Sequence, residues 1–193
     1  MKNRLAYMLL IPVLGIVFSC GKTPTPKPTG YFRIDFSEKE YKNYQANCGF
    51  SFETPVYSEI EKFKGEGIDT CWFNISYPDY KAKVHITYLP IQDNLGAYLE
   101  DAHQFAFKHE SKASAIDASR IDRPEDHVGC LVYDLKGDVA TSLQFYITDS
   151  TNHFLRGSLY FSHIPNEDSI APVLNYLRED VVHLINTISW DEN

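Results

Sequence analysis

The first twenty residues constrain this chain more than any other stretch, because they decide the compartment in which the rest must fold. Lys2 and Arg4 make a short basic start, and Leu5 to Phe18 is an uncharged apolar run interrupted by Pro12 and Gly15. A basic end followed by an apolar middle is the layout of an export signal. The run is short for a membrane span, which takes about 20 apolar residues, and a permanent N-terminal membrane helix is the competing reading. Val17-Phe18-Ser19-Cys20 then sets an aliphatic and a small residue ahead of a cysteine, as in a bacterial lipobox. Residues 1–19 are therefore expected to be a lipoprotein-type signal peptide, and Cys20 the lipidation site. Each buried methylene contributes about 0.8 kcal/mol, so two or more acyl chains give a stable anchor.

Gly21-Lys22-Thr23-Pro24-Thr25-Pro26-Lys27-Pro28-Thr29 follows, so residues 20–30 read as the lipidated cysteine and a Pro/Thr-rich linker. Alternating prolines favour polyproline II at ~3.1 Å per residue, enough to hold a domain roughly 25 to 30 Å from the bilayer. No acidic run follows Cys20, which favours a domain facing the periplasm. Residues 31–193 are the length of one domain. The formal charge of −8 becomes more negative once Lys2 and Arg4 leave with the signal. Such a surface is unsuited to nucleic acid, whose binding needs Lys and Arg against phosphates. Attachment to the membrane is thus expected through the lipid alone.

Of the remaining cysteines, Cys48 and Cys71 each stand at the start of an aromatic run, and their strands could lie side by side. A bridge would close a loop of roughly 24 residues and contribute about 3 kcal/mol in the chain-entropy model. Buried free thiols are an equally good reading. Cys130, in an aliphatic run, reads as core, and no cysteine spacing suits zinc.

Alternating apolar residues predict extended structure at Phe32, Ile34 and Phe36, and strands over 50–54, 71–77 and 83–91. Asp93-Asn94 offers an N-cap for a helix to about Glu110, with Leu95, Tyr98, Leu99, Ala102, Phe105, Ala106 and His109 on one side. A meander of strands follows around Leu131, Leu143 and Leu155, separated by turn residues. The chain closes with a helix over 169–189, capped by Asp168 or Ser169, with Pro172 in its first turn. This order makes an α+β fold, one antiparallel sheet flanked by two main helices. It resembles a Mog1/PsbP-type α/β/α sandwich.

Enzyme signatures are missing. There is no nucleophile elbow, no Gly-rich phosphate loop ahead of a helix, and no His-Glu-x-x-His. No catalytic residue, metal ligand or cofactor is expected. Asp122 to His127 reads as a solvated loop. The densest polar group surrounds a hairpin: Tyr146, Asp149, Asn152, His153, Arg156 and Tyr160. Arg suits bidentate recognition of a carboxylate or phosphate, so these six are the candidate interaction surface. The competing reading is an Asx-turn with an Arg–Asp pair that holds the hairpin together under the second helix.

Gly30 to Phe36, Cys48 with Phe50-Ser51-Phe52, Asp101-Ala102 through Lys108-His109, and above all Gln144 to Ser150 running on to His153–Phe161 carry a family resemblance. By these residues the chain resembles the gliding-motility lipoprotein GldD family of Bacteroidota. The resemblance implies a noncatalytic cell-envelope lipoprotein needed for gliding and the linked type IX secretion machinery. Its implied partners are the membrane, through the lipid on Cys20, and other gliding or secretion proteins. The alternative is a periplasmic small-ligand-binding module, with a pocket lined by aromatics such as Trp72, Tyr146 and Tyr160. A hydrolase using His153 with Asp149 or Ser158 is the third possibility, and requires those side chains within hydrogen-bond reach.

Overall fold

Two antiparallel sheets, and not one, organise the chain. A computed structural model describes residues 33–63, 71–162 and 166–191. The expected signal, Cys20, the linker and Phe32 lie outside the described residues. The small sheet has the order β1-β2-β10, from Tyr41–Ala46, Phe50–Pro55 and Ser189–Trp190. The large sheet adds β3 (Glu59–Lys62), β4 (Phe73–Tyr77), β5 (Ala82–Pro90), β6 (Ala115–Arg123), β7 (Val128–Lys136), β8 (Thr141–Thr148) and β9 (His153–Phe161). Its order is β3-β4-β5-β9-β8-β7-β6. Helix α1 is Leu95–Phe107 and α2 is Glu167–Thr187.

Period-2 alternation sorts the large sheet into two faces. Val84, Ile86, Cys130, Val132, Leu143, Phe145, Ile147, Leu155 and Leu159 point inward and are buried. They pack with Phe50 and Phe52 of β2 and with Leu177, Val181, Leu184 and Ile185 of α2 into the main core. The outward residues of β7, Tyr133 and Leu135, form a smaller core with Ala106 of α1 and Val139. Gly157 faces inward under the ring of Phe145, where a Cβ would approach ring carbons at 2.1 Å. Only glycine fits there.

Several expectations need correction. The segment around Ile34 and Phe36 forms no strand, and Phe36 stacks on Tyr176 with its ring partly in solvent. Asn94 stands at the N-cap of α1, yet its side chain accepts from Gln92 N–H and donates to the Tyr98 hydroxyl instead of capping. The helix stops at Phe107, short of Glu110. Of its expected stripe only Ala102 and Ala106 are buried, and Phe105 is 39% exposed. Helix α2 starts two residues early: Asn166 Oδ1 accepts Ser169 N–H at 3.0 Å, so Asn166 is the cap and Pro172 falls in the second turn. Its missing N–H leaves the carbonyl of exposed Asp168 to solvent.

Candidate functional site

The β8–β9 turn is built around Asp149. Its Oδ1 accepts the backbone N–H of Thr151, Asn152 and His153 at 2.9, 2.8 and 2.8 Å, and its Oδ2 accepts the Thr151 hydroxyl. Burial alone would raise this carboxyl, but the donors outweigh it and hold it below its ordinary value. Asp149 is thus committed to the turn, and among the described residues no Arg–Asp pair holds the hairpin.

Strand alternation then divides the six residues expected to share one surface. His153, at the start of β9, faces inward. Its Nδ1 meets the Tyr88 hydroxyl at 2.7 Å and its ring stacks on Trp190, with centroids 4.9 Å apart. Arg156 and Tyr160, three and seven positions later, face outward with Tyr146, which pairs with Arg156 across the strands. Ser158 faces outward too, so the hydrolase pairing of His153 with Ser158 is excluded by geometry. The face bearing Arg156 is covered in part by α1, and not by α2 as the competing reading had it.

The inward half borders an open cleft of about 510 Å³ at one end of the sheet. Asp149, Thr151, Asn152 and His153 line one side, Glu125, Asp126 and His127 of the β6–β7 turn another, and Ser189, Trp190 and Asp191 the third. That turn, expected as a solvated loop, is a tight one: Pro124–Asp126 make a short 3-10 turn and His127 closes it in the left-handed region at φ 53°. The cleft is acidic, and Asp149, Asp126 and Asp191 among its carboxylates are engaged. Asp126 pairs with Arg123 at 2.6 Å, and Asp191 accepts from Gln45 at 3.0 Å. Among the described residues no group of three or more His, Cys, Asp or Glu is placed to hold a metal. Trp72, Tyr146 and Tyr160 do not line the cleft beside His153; Trp72 donates its Nε1–H to the Tyr88 carbonyl.

The outward half is a ladder of polar and aromatic side chains. Thr87, Arg156 and Tyr146 sit abreast on β5, β9 and β8, and Asn74, His85, Ser158 and Gln144 form the next row. His85 Nδ1 lies 2.5 Å from Asn74 Oδ1 and its ring meets Tyr160 edge-on. Burial, then the charge of Lys83, push its pKa down. The Arg156 guanidinium lies 4.1 Å above the centre of the Phe105 ring, and Lys108 Nζ lies 4.3 Å from the same centre. Phe105 lies on α1 and Lys108 just past its end, and nothing in the residue pattern marks Phe105 as a neighbour of β9.

Cys48 and Cys71 are joined in a disulfide that ties the β1–β2 turn to the segment before β4, linking the two sheets. Cys130 is a buried free thiol, pushed up to about 12 by burial and by Asp122.

The family of gliding motility lipoprotein GldD matches residues 21–190. The chain belongs to that family. Membership in the GldD family ties it to gliding motility and makes it an envelope-associated, lipid-anchored protein. Among the described residues no helix is long and apolar enough to cross a membrane. No curated protein matches the chain. In shape it is similar to cyanobacterial PsbP (CyanoP) from Synechocystis sp. PCC 6803, seen in solution, with a TM-score of 0.51 and 12% identity. The likeness covers 85% of this chain and 99% of the other, and makes the α+β architecture of this GldD-family chain PsbP-like.

Proposed function

We propose that this GldD-family chain is a noncatalytic accessory factor of the cell envelope, serving gliding and the linked type IX secretion machinery through protein–protein contacts. Residues 1–19 direct export, Cys20 takes the lipid, and residues 20–30 hold the single domain, residues 31–193, on the periplasmic side. The observation that carries this reading is the family match, which begins at the residue after Cys20 and runs to Trp190. The separation of His153 from Ser158 on opposite sheet faces supports a noncatalytic role. Replacing Cys20 by serine tests it: the protein should leave the membrane fraction and gliding should stop. Continued fractionation with membranes and normal gliding would sink it.

A second reading, a periplasmic small-ligand-binding module, draws on the open cleft beside His153 and Trp190. Under it Trp190→Ala would abolish function while the fold survives, and gliding unchanged in that variant removes it.

A further inference from the structure

We infer that the patch around Phe105 on the outward sheet face docks an acidic segment of another envelope protein, with a carboxylate clamped by Arg156 beside Lys108. The inference rests on the contact-based role proposed above and names the chemistry of the contact.

The first support is a missing partner. Lys39, Lys83, Arg123 and Arg178 are all partly buried cations, and each has a carboxylate within 2.6 Å. Arg156 is partly buried too, but among the described residues it forms no such pair and lies instead against the Phe105 ring. Burial pushes its pKa down, and Asp101 acts on it only from beyond pairing distance. A second cation, Lys108, sits at the same ring. Two cations that have no salt-bridge partner among the described residues, set around one aromatic ring, make a local anion site on a chain of net charge −8.

The second support is the apolar frame. Phe105, 39% exposed, lies against Arg156, and Tyr160, 37% exposed, stands four residues further along the same outward face of β9. Aromatic residues and arginine dominate the centres of protein interfaces, where they are desolvated together. Arg156 presents a planar fork that matches a carboxylate in two parallel hydrogen bonds. A lone inorganic anion would leave the rings uncovered. An anionic bilayer would meet the whole acidic chain, whereas an extended segment feels mainly charges within about 8 Å. A second copy would bring its own net charge of the same sign.

The full lipoprotein, extracted in a neutral detergent, is titrated into a fluorescent peptide of alternating Glu and Phe, and into the same peptide with Gln for Glu. The Glu peptide should bind, weaken as salt rises, and lose about tenfold in affinity with either Arg156→Gln or Lys108→Gln. Asp101→Asn, which removes the competing carboxylate, should tighten binding. Melting curves should match the parent; if Arg156→Gln unfolds, Lys108→Gln at the exposed end of α1 carries the test. No binding of the Glu peptide, equal binding of both peptides, or indifference to both substitutions overturns the docking surface. So does tighter, Arg156-dependent binding to phosphatidylglycerol vesicles, or a dimer in sedimentation that Arg156→Gln dissolves. If the docking surface fails while Cys20→Ser still stops gliding, the anchored-factor role stands without it; if Cys20→Ser has no effect, that role falls whatever the peptide does.

Discussion

Asp180 and Arg156 are charges set into opposite sides of the same framework, and the protein treats them in opposite ways. Asp180, on the buried stripe of α2, is 1% exposed. Lys39 Nζ reaches its Oδ1 at 2.6 Å, Tyr41 donates to the same oxygen, and Tyr57 donates to Oδ2 at 2.7 Å. Tyr176 adds a hydroxyl bond to the Ser37 carbonyl and a ring under Lys39. Every polar atom of that carboxylate is satisfied from within, and the segment before β1 is fastened to α2 by it. Arg156 has no such closure. A buried charge that is fully paired belongs to the fold, whereas one left with aromatic neighbours and no counter-ion is available to something outside.

The largest expected effect comes from breaking the closed side. Lys39→Ala leaves Asp180 without its cation and should lower unfolding free energy by about 3 kcal/mol, read by denaturant titration. A loss below about 0.5 kcal/mol, the level of an ordinary surface change, would mean that the network is not structural. Opening the Cys48–Cys71 disulfide, by Cys→Ser at both positions, should cost about 3 kcal/mol or somewhat less. Identical stability with and without reductant would show that the thiols are free in the native protein.

A smaller effect distinguishes the two sides by pH. Burial pushes the Tyr176 hydroxyl up to about 12, and burial with Asp180 raises Tyr57 and Tyr41 as well. Between the unfolded value of about 10 and these raised values the native state keeps protons that the unfolded chain has lost, so stability falls as pH rises. The same tyrosines have no effect below that window. Denaturant midpoints should therefore be level to about pH 10 and drop beyond it; a midpoint level to pH 11 contradicts the buried tyrosine network. The smallest effect belongs to the open side: Arg156→Gln should change stability by no more than about 0.5 kcal/mol. A loss as large as that of Lys39→Ala would make Arg156 a structural residue.

Central elements of the fold were legible because their side chains alternate. β2, β4, β5, β7, β8 and β9 carry apolar residues at every second position, and α2 carries Leu177, Val181 and Leu184 at helical spacing. The edge strands were not. β3 and β1 expose half of their residues and β6 more than half, so Glu59–Lys62 and Ala115–Arg123 lack the pattern that marks a buried face. Without β1 and the two-residue β10, the second sheet was invisible. The candidate site suffered from a parity problem: a turn at Asp149–Asn152 puts His153 on one face and Arg156 on the other, although they are three residues apart. Phe105 reaches Arg156 only through tertiary packing, across some fifty residues of chain, and Asp180 looked like any polar residue on a helix.

The most direct test of the account is gliding on a surface by cells whose sole copy carries Arg156→Gln, with its abundance and membrane fraction measured in the same culture. The account predicts normal abundance and normal membrane attachment with gliding lost. Normal gliding from normally abundant, membrane-bound protein would contradict it.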